Sequence, residues 1–487
     1  MMEFKLTDIL VALPEIFLMS MIVIILLYES LNKNAKQSML YTLSLIALFG
    51  TAILSLYQYN VDLTGGIIGA DAFWFGEITY NPISLLLKVA MTIVVAFGLI
   101  YSYGRLADSD IANAEYYVLI LLSTLGMLVL VSAASLLTVY VGLELMSLPM
   151  YGLVALNRRS QKGSEAAMKY FVVGAMSSGI LLFGMALLYG ATSSLQFIDI
   201  NSVIADGMTD SQARLMLFSA VFLIVGVVFK LGGAPFHNWV PDVYEGAPVA
   251  VAMFIGAAPK IASFIMAAFL LIGALEAFAP NWQPFIIAIS IISFIIGNLV
   301  ALKQDNLRRM LGYSAVSHAG FILLGLLITA ESDNALSAGI FYAITYALTT
   351  TAAFGFILSV KINGKEIQAI DDLKGFAKSH AWYAILLACV MLSMGGIPFF
   401  VGFYAKFVVL RAAFEAGHLY TVIFALLMSV IGLYYYLRVI KVMFFDEEVS
   451  GRELTLEATG TSQVFFNINV MLLILLGVFP SLLYSFF

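Results

Sequence analysis

The sequence predicts an all-α, polytopic membrane protein, and three observations carry that prediction. Of its 487 residues, 62% are apolar and only 11% charged; a soluble protein carries roughly 25% charge, so the chain lacks the polar residues to coat even one soluble domain. The apolar residues fall into fourteen runs, each about long enough to cross the ~30 Å hydrocarbon as a helix. Lysine and arginine then alternate between successive loops, as a stack of crossings requires. A barrel is excluded because barrel strands alternate polar and apolar residues. These runs are continuously apolar, and a helix satisfies its own backbone groups in lipid.

The runs cover about residues 9–29, 37–57, 81–103, 114–131, 133–156, 168–190, 213–232, 247–275, 284–303, 312–330, 337–361, 381–409, 418–445 and 465–486. The first reads as a span rather than a secretory leader: Glu3 and Asp8 flank its single Lys5, and no small-residue cleavage site follows it. The odd-numbered loops hold sixteen basic residues, among them Lys33, Lys36, Arg105, Arg158, Arg159, Arg308, Arg309, Lys374, Arg438 and Arg452, whereas the other side holds only Lys5, Arg214 and Arg411. The odd loops are therefore expected to face the cytoplasm and both termini the opposite side.

Composition also limits the chemistry. A net charge of −6 excludes a basic nucleic-acid surface. One cysteine, Cys389, allows no disulfide framework, zinc site or iron–sulfur cluster, and four histidines are too few for a set of haem ligands. The chain itself is not expected to carry electrons or a cofactor.

A five-residue pattern recurs. GGAPF at 232–236 returns as GGIPF at 395–399, in the seventh and twelfth runs. Five runs is an odd offset, so a repeat of five helices must be inverted in the membrane, a layout that places active groups where helices break. Spans 4–8 and 9–13 would be the two repeats. The corresponding divisions are 1–110 (three helices), 111–280, 281–446 and 447–487 (a last helix). Pro235 and Pro398 cannot donate to the carbonyls of Leu231 and Met394. Those freed carbonyls need water or polar side chains, so each break should line a hydrated cavity.

Ionisable residues inside the runs are the candidate functional groups. A charge at the centre of an isolated span costs ~2.5–3.5 kcal/mol on insertion scales, so these side chains should face a protein interior holding water and counter-charges. In chain order they are Glu144, Lys169, Lys230, Lys260, His318 and Lys406. Glu144 sits beside the carbonyl of Leu145, freed by Pro149. Lys230 precedes the first Gly-Gly break, Lys260 follows Pro259, and Lys406 lies beyond the second break. Lys169 begins its run and could also reach the cytoplasmic face, as Lys88 near the start of the third run is expected to do on its own side. His237, Asp242 and Glu245 follow the first break as interfacial residues or an uptake funnel. All six central groups can gain or lose a proton and none is arginine, which holds its proton where a desolvated lysine can release one. That choice favours protonation chemistry.

The stretches GLELMSLPMYGLVAL, KLGGAPFHNWVPDVYEGAPV, RRMLGYSAVSHAGFILLG and GGIPFFVGFYAKF resemble the antiporter-like membrane subunits of proton-pumping NADH–quinone oxidoreductase, respiratory complex I, over nearly the whole chain. Those subunits are similar to Mrp-type cation/proton antiporters, the alternative reading, and share inverted five-helix repeats. Of the three bacterial types, L continues into a long lateral helix and M carries a glutamate where this chain has Lys406; length, Lys406 and the quoted stretches fit the N type. The resemblance implies that Glu144 pairs with Lys230, and that Lys169, Lys260, His318 and Lys406 complete a proton relay. It implies neighbours in the bacterial inner membrane, including the antiporter-like M and the small K subunits, with lipid around them. NADH, FMN, iron–sulfur clusters and quinone would belong to partner subunits.

Overall fold

The computed structural model of the chain describes residues 6–32, 36–61, 69–107, 113–327, 334–448 and 454–487. Lys5, Lys33 and Arg452, the end of the tenth run and the boundary near residue 110 lie outside the described residues. Each apolar run forms helix. The first seven are α1 (Leu13–Leu31), α2 (Gln37–Asn60), α3 (Pro82–Ala107), α4 (Asn113–Val131), α5 (Leu136–Val154), α6 (Gln161–Thr192) and α7 (Asp210–Leu231). They are followed by α8 in two pieces (Val249–Gly256 and Ala258–Ala268), α9 (Ala279–Ala301), α10 (Leu307–Leu324) and α11 (Asn334–Ser359). The last are α12 in two halves (Ala381–Gly395 and Val401–Glu415), α13 (Leu419–Phe444) and α14 (Gly460–Val478).

Among the described residues, twelve helices are long and apolar enough to cross a membrane, so the chain is an all-α polytopic membrane protein. The two runs outside that set have local reasons. Helix α10 carries Arg308, Arg309 and His318 within 18 residues, and α12 is divided into two halves of 15 residues each. Helix α6 is longer than its apolar run. Its 32 residues make a rod of about 48 Å, and its first two turns extend beyond the apolar stretch.

Capping side chains fix several helix starts by accepting a backbone N–H that no carbonyl of the helix can reach. Ser135 accepts from Thr138 at α5, Ser160 from Gly163 at α6, Asn306 from Arg309 at α10 and Thr459 from Ser462 at α14. Thr209 and Gln212 form a reciprocal capping box at α7.

Two breaks fall at the Gly-Gly-x-Pro sequences. Helix α7 stops at Leu231 with Gly232 at φ 77°, and the chain turns into a short helix, Trp239–Gly246. The first half of α12 stops at Gly395 with Gly396 at φ 82°, and the second half resumes at Val401. A third break, in α8, is not evident from the sequence. It falls at Ala257 (φ −110°, ψ −100°), where Pro259 lacks an N–H and crowds the preceding turn.

Helix α11 is wholly enclosed and α8 nearly so, while α1, α13 and α14 show most of their apolar length outward. Large apolar side chains such as Phe171, Met176 and Phe183 on α6 and Leu427 and Val430 on α13 are exposed, as lipid contact requires. Helices α4 and α5 pack backbone to backbone at Gly126. A Cβ there would lie 2.2 Å from the nitrogen of Met146, the close approach that small residues permit between membrane helices. Two small antiparallel sheets sit between the spans, an addition to the all-helical expectation. Gly69–Phe73 pairs with Ile78–Tyr80, and Val360–Ile362 lies between Lys365–Glu366 and Leu454–Leu456. Their backbones leave the helices and must pair elsewhere.

Candidate functional site

The two carbonyls freed by proline are each met by an amine. Lys260 Nζ donates to Leu231 O at 2.9 Å, and Lys406 Nζ donates to Met394 O at 3.1 Å and Gly395 O at 2.9 Å. Both lysines therefore sit at the C-terminal end of a broken helix, where unpaired carbonyls and the helix dipole favour a cation. Lys406 Nζ also donates to Ser429 Oγ at 3.0 Å and lies 5.4 Å from the Phe321 ring centre. Lys260 Nζ lies 5.1 Å from the Trp239 ring centre. Beside the α12 break, a cavity of about 520 Å³ is lined by Gly396, Phe403, Lys406, Phe407, Ser429 and Leu433 among others.

Lys230 occupies the last turn of α7. Its Nζ donates to Ser147 Oγ at 2.9 Å and to Tyr151 OH at 3.2 Å. Ser147 and Tyr151 follow Glu144 by three and seven residues on α5, so the three share one helix face. Glu144 is half-buried, and its enclosed Oε1 has no hydrogen-bond partner. The expected Glu144–Lys230 ion pair is open here, because the lysine is bonded to the two hydroxyls of the same face. Among the described residues, Lys230, Lys260 and Lys406 are all buried and none forms an ion pair.

His318 is enclosed between α10, α11 and α13. Its Nδ1 bonds Tyr342 OH at 2.7 Å and its Nε2 bonds Tyr436 OH at 3.1 Å.

The structure sets Lys169 apart from this buried group. Its side chain is 47% exposed and bonds Glu165 at 2.8 Å and Asp242 at 2.9 Å. Arg309 bonds Asp242 at 2.7 Å and Glu245 at 3.1 Å, and Lys162 bonds Glu245 at 3.1 Å. Burial alone would raise the Asp242 carboxyl, but its bonds from Lys169 and Arg309 outweigh that and hold it below the usual carboxylate range. Lys162 and Arg309 do the same for Glu245. Lys169 thus ties the start of α6 to the short helix after the α7 break. Lys88 also departs from expectation. It is buried in an ion pair with Glu15 of α1 at 2.6 Å instead of reaching a membrane surface. No group of three or more His, Cys, Asp or Glu able to hold a metal occurs among the described residues.

Residues 133–432 match the family model described as NADH:quinone oxidoreductase/Mrp antiporter, TM. NADH-quinone oxidoreductase subunit N of Azoarcus sp. (strain BH72) is 42% identical, covering 99% of this chain and 97% of the relative. The chain belongs to the subunit N family of NADH–quinone oxidoreductase. Subunit N of Laribacter hongkongensis (strain HLHK9) is likewise 42% identical, over 97% of this chain and 95% of its own. A chain of respiratory complex I from Thermus thermophilus superposes with a TM-score of 0.79 at 27% identity, covering 97% of this chain and 98% of that one. A chain of the Mrp complex from Dietzia sp. DQ12-45-1b shares the fold, with a TM-score of 0.83 at 20% identity over 99% of this chain and 96% of that one.

For this member of the subunit N family, sequence reasoning found the lysines and missed their partners. Ser147, Tyr151, Ser429, Tyr342 and Tyr436 complete the site. Tyrosine in membrane spans concentrates at the two interfaces. Tyr342 and Tyr436 each lie eight residues inside the nearer end of their helix, and that depth was the available signal.

Proposed function

We propose that this chain is a proton-translocating membrane subunit of NADH–quinone oxidoreductase, a non-redox part of that enzyme, driven by quinone reduction in partner subunits. The observation that carries the reading is the triad of buried lysines, each bonded only to neutral acceptors and two of them capping the broken helices. A buried ammonium without a carboxylate is held weakly, so such an amine is fit to take up a proton and pass it on.

The proton enters from the cytoplasm near the α7 break, loads Lys230 or Lys260, crosses by water and His318 to Lys406, and leaves on the other face. Glu144 sets the switch. Close to Lys230 it would favour the ammonium by about 4 kcal/mol at 4 Å and an effective dielectric of 20; with the pair open, as here, that attraction is weakened and the proton is more readily driven on. Helix α10 and the divided α12 complete fourteen crossings, with α4–α8 and α9–α13 as inverted repeats. Both termini then lie on the periplasmic side of a bacterial inner membrane. The M and K subunits are the proposed neighbours, and the cofactors NADH, FMN, iron–sulfur clusters and quinone belong to the partners.

The test is Lys406→Ala in the complex reconstituted into vesicles. Proton pumping should be lost while the complex still assembles. Normal pumping with alanine at 406 contradicts the reading.

A further inference from the structure

We propose that Ser314, Tyr436, His318 and Tyr342 form a proton wire through α10, α13 and α11, with the two phenols as relay groups serving the two nitrogens of one imidazole. This rests on the proton-translocating reading and names the groups that carry the proton to the α12 break.

The geometry is a row of short contacts. Ser314 Oγ lies 2.5 Å from Tyr436 OH, Tyr436 OH lies 3.1 Å from His318 Nε2, and His318 Nδ1 lies 2.7 Å from Tyr342 OH. All four groups are buried. Tyr435 packs against Tyr436 with ring centres 4.4 Å apart; its hydroxyl donates to Asn298 at 3.2 Å and also reaches the hydroxyls of Tyr436 and Ser314.

The row also advances across the membrane. The near ends of α10, α11 and α13 lie on one side, since Arg438 of α13 bonds Asp305 at 2.6 Å and Leu307 N bonds Gln368 O at 2.8 Å. Measured from those ends at 1.5 Å per residue, Ser314, Tyr436, His318 and Tyr342 stand at about 10, 12, 16 and 25 Å. Beyond His318 and Tyr342 lies a small cavity, also lined by Met394, Gly402 and Ala405, with about 10 Å³ of space for a water centre, room for about one water. Met394, one of the residues lining it, also supplies a carbonyl that Lys406 bonds.

The transfer balances. In the resting arrangement Ser314 donates to Tyr436, Tyr436 to His318 Nε2, and His318 Nδ1–H to Tyr342. A proton arriving at Ser314 displaces the serine proton onto Tyr436, whose own proton passes to Nε2. The imidazole releases its Nδ1 proton to Tyr342, and the Tyr342 proton leaves to the cavity water. One proton enters, one leaves, and no group keeps a charge. Rotation of the hydroxyls and the return of the imidazole tautomer reset the row.

The experiment uses the whole complex in vesicles and compares Tyr436→Phe and Tyr342→Phe with Tyr383→Phe, which removes a buried hydroxyl that has no hydrogen-bond partner among the described residues. Tyr436→Phe and Tyr342→Phe should slow proton translocation at least about fivefold, the equivalent of one lost hydrogen bond, while Tyr383→Phe stays near the unaltered rate. Normal pumping by Tyr436→Phe, or an equal loss in Tyr383→Phe, overturns the wire. If a phenylalanine variant fails to assemble, ring-fluorinated tyrosine at 436 decides. It changes the acidity of the phenol with little change of shape, so the wire requires a changed pumping rate and solvent isotope effect, and unchanged values overturn it. Lys406→Ala measured alongside separates the two claims. Its loss with normal Tyr436→Phe removes the wire alone, whereas normal pumping by Lys406→Ala removes the translocating reading itself.

Discussion

Lys88 shows what a lysine does in this bundle when a carboxylate is at hand. It is buried, and Glu15 holds it at 2.6 Å. Lys230, Lys260 and Lys406 are buried to a similar degree and bond only hydroxyls or carbonyls. The same side chain is thus an anchored ion in one place and, in three others, an amine bonded only to neutral groups. Removing one member of a buried ion pair leaves the other charge stranded, at a cost of about 3–5 kcal/mol, whereas replacing both by apolar residues is often neutral. Lys88→Met should therefore lower the thermal midpoint of the purified complex clearly, and Glu15→Leu combined with Lys88→Met should restore it. A double variant no better than the single one would show that the pair does more than hold α1 to α3. The lysines were legible because a charge in an apolar run stands out on cost alone. Their partners were not. Serine and tyrosine are tolerated in spans without signalling a role, and Glu15 and Lys88 are brought together only by the packing of α1 against its neighbours.

At the scale of elements, the breaks organise the site. Two of the three were written in the sequence as Gly-Gly-x-Pro, together with the carbonyls that needed donors, and both carbonyls have lysine donors. What the sequence did not reveal is where each lysine comes from. The α7 break is capped from α8, the α12 break from its own second half. The third break, at Ala257, escaped notice because a single proline in a long apolar run is common in membrane helices. Gly396 joins backbone and amine most tightly. Its φ of 82° suits glycine, and an added Cβ would lie 2.9 Å from Lys406 Cδ and 3.1 Å from its Nζ. Gly396→Ala should cost roughly 1–2 kcal/mol in backbone strain and push Lys406 off its carbonyls. Thermal stability and pumping should therefore fall together. Full pumping at an unchanged midpoint would show that the cap is not needed.

On the scale of the whole molecule, an enclosed core carries the polar groups and a lipid-facing shell surrounds it. Helix α11 is wholly buried and α8 nearly so, whereas α1, α13 and α14 turn apolar faces outward. Composition and periodicity were enough for that class of fold, because a chain with 11% charge has few other ways to exist. The order of helices about the core was not legible, since continuously apolar runs do not tell lipid from protein as a neighbour. Beside the start of α6, Lys169 and Arg309 clamp Asp242, so the short helix after the α7 break is fixed by surface charge rather than by the buried row. The central claim is that the buried lysines work by releasing protons, and it is tested most directly by keeping the charge and removing that ability. Arginine does so, because its guanidinium stays protonated in proteins. The measurement is protons moved per electron pair by complex carrying Lys230→Arg in sealed vesicles. The account predicts a ratio far below that of the unaltered complex, and an equal ratio would mean that fixed positive charge suffices.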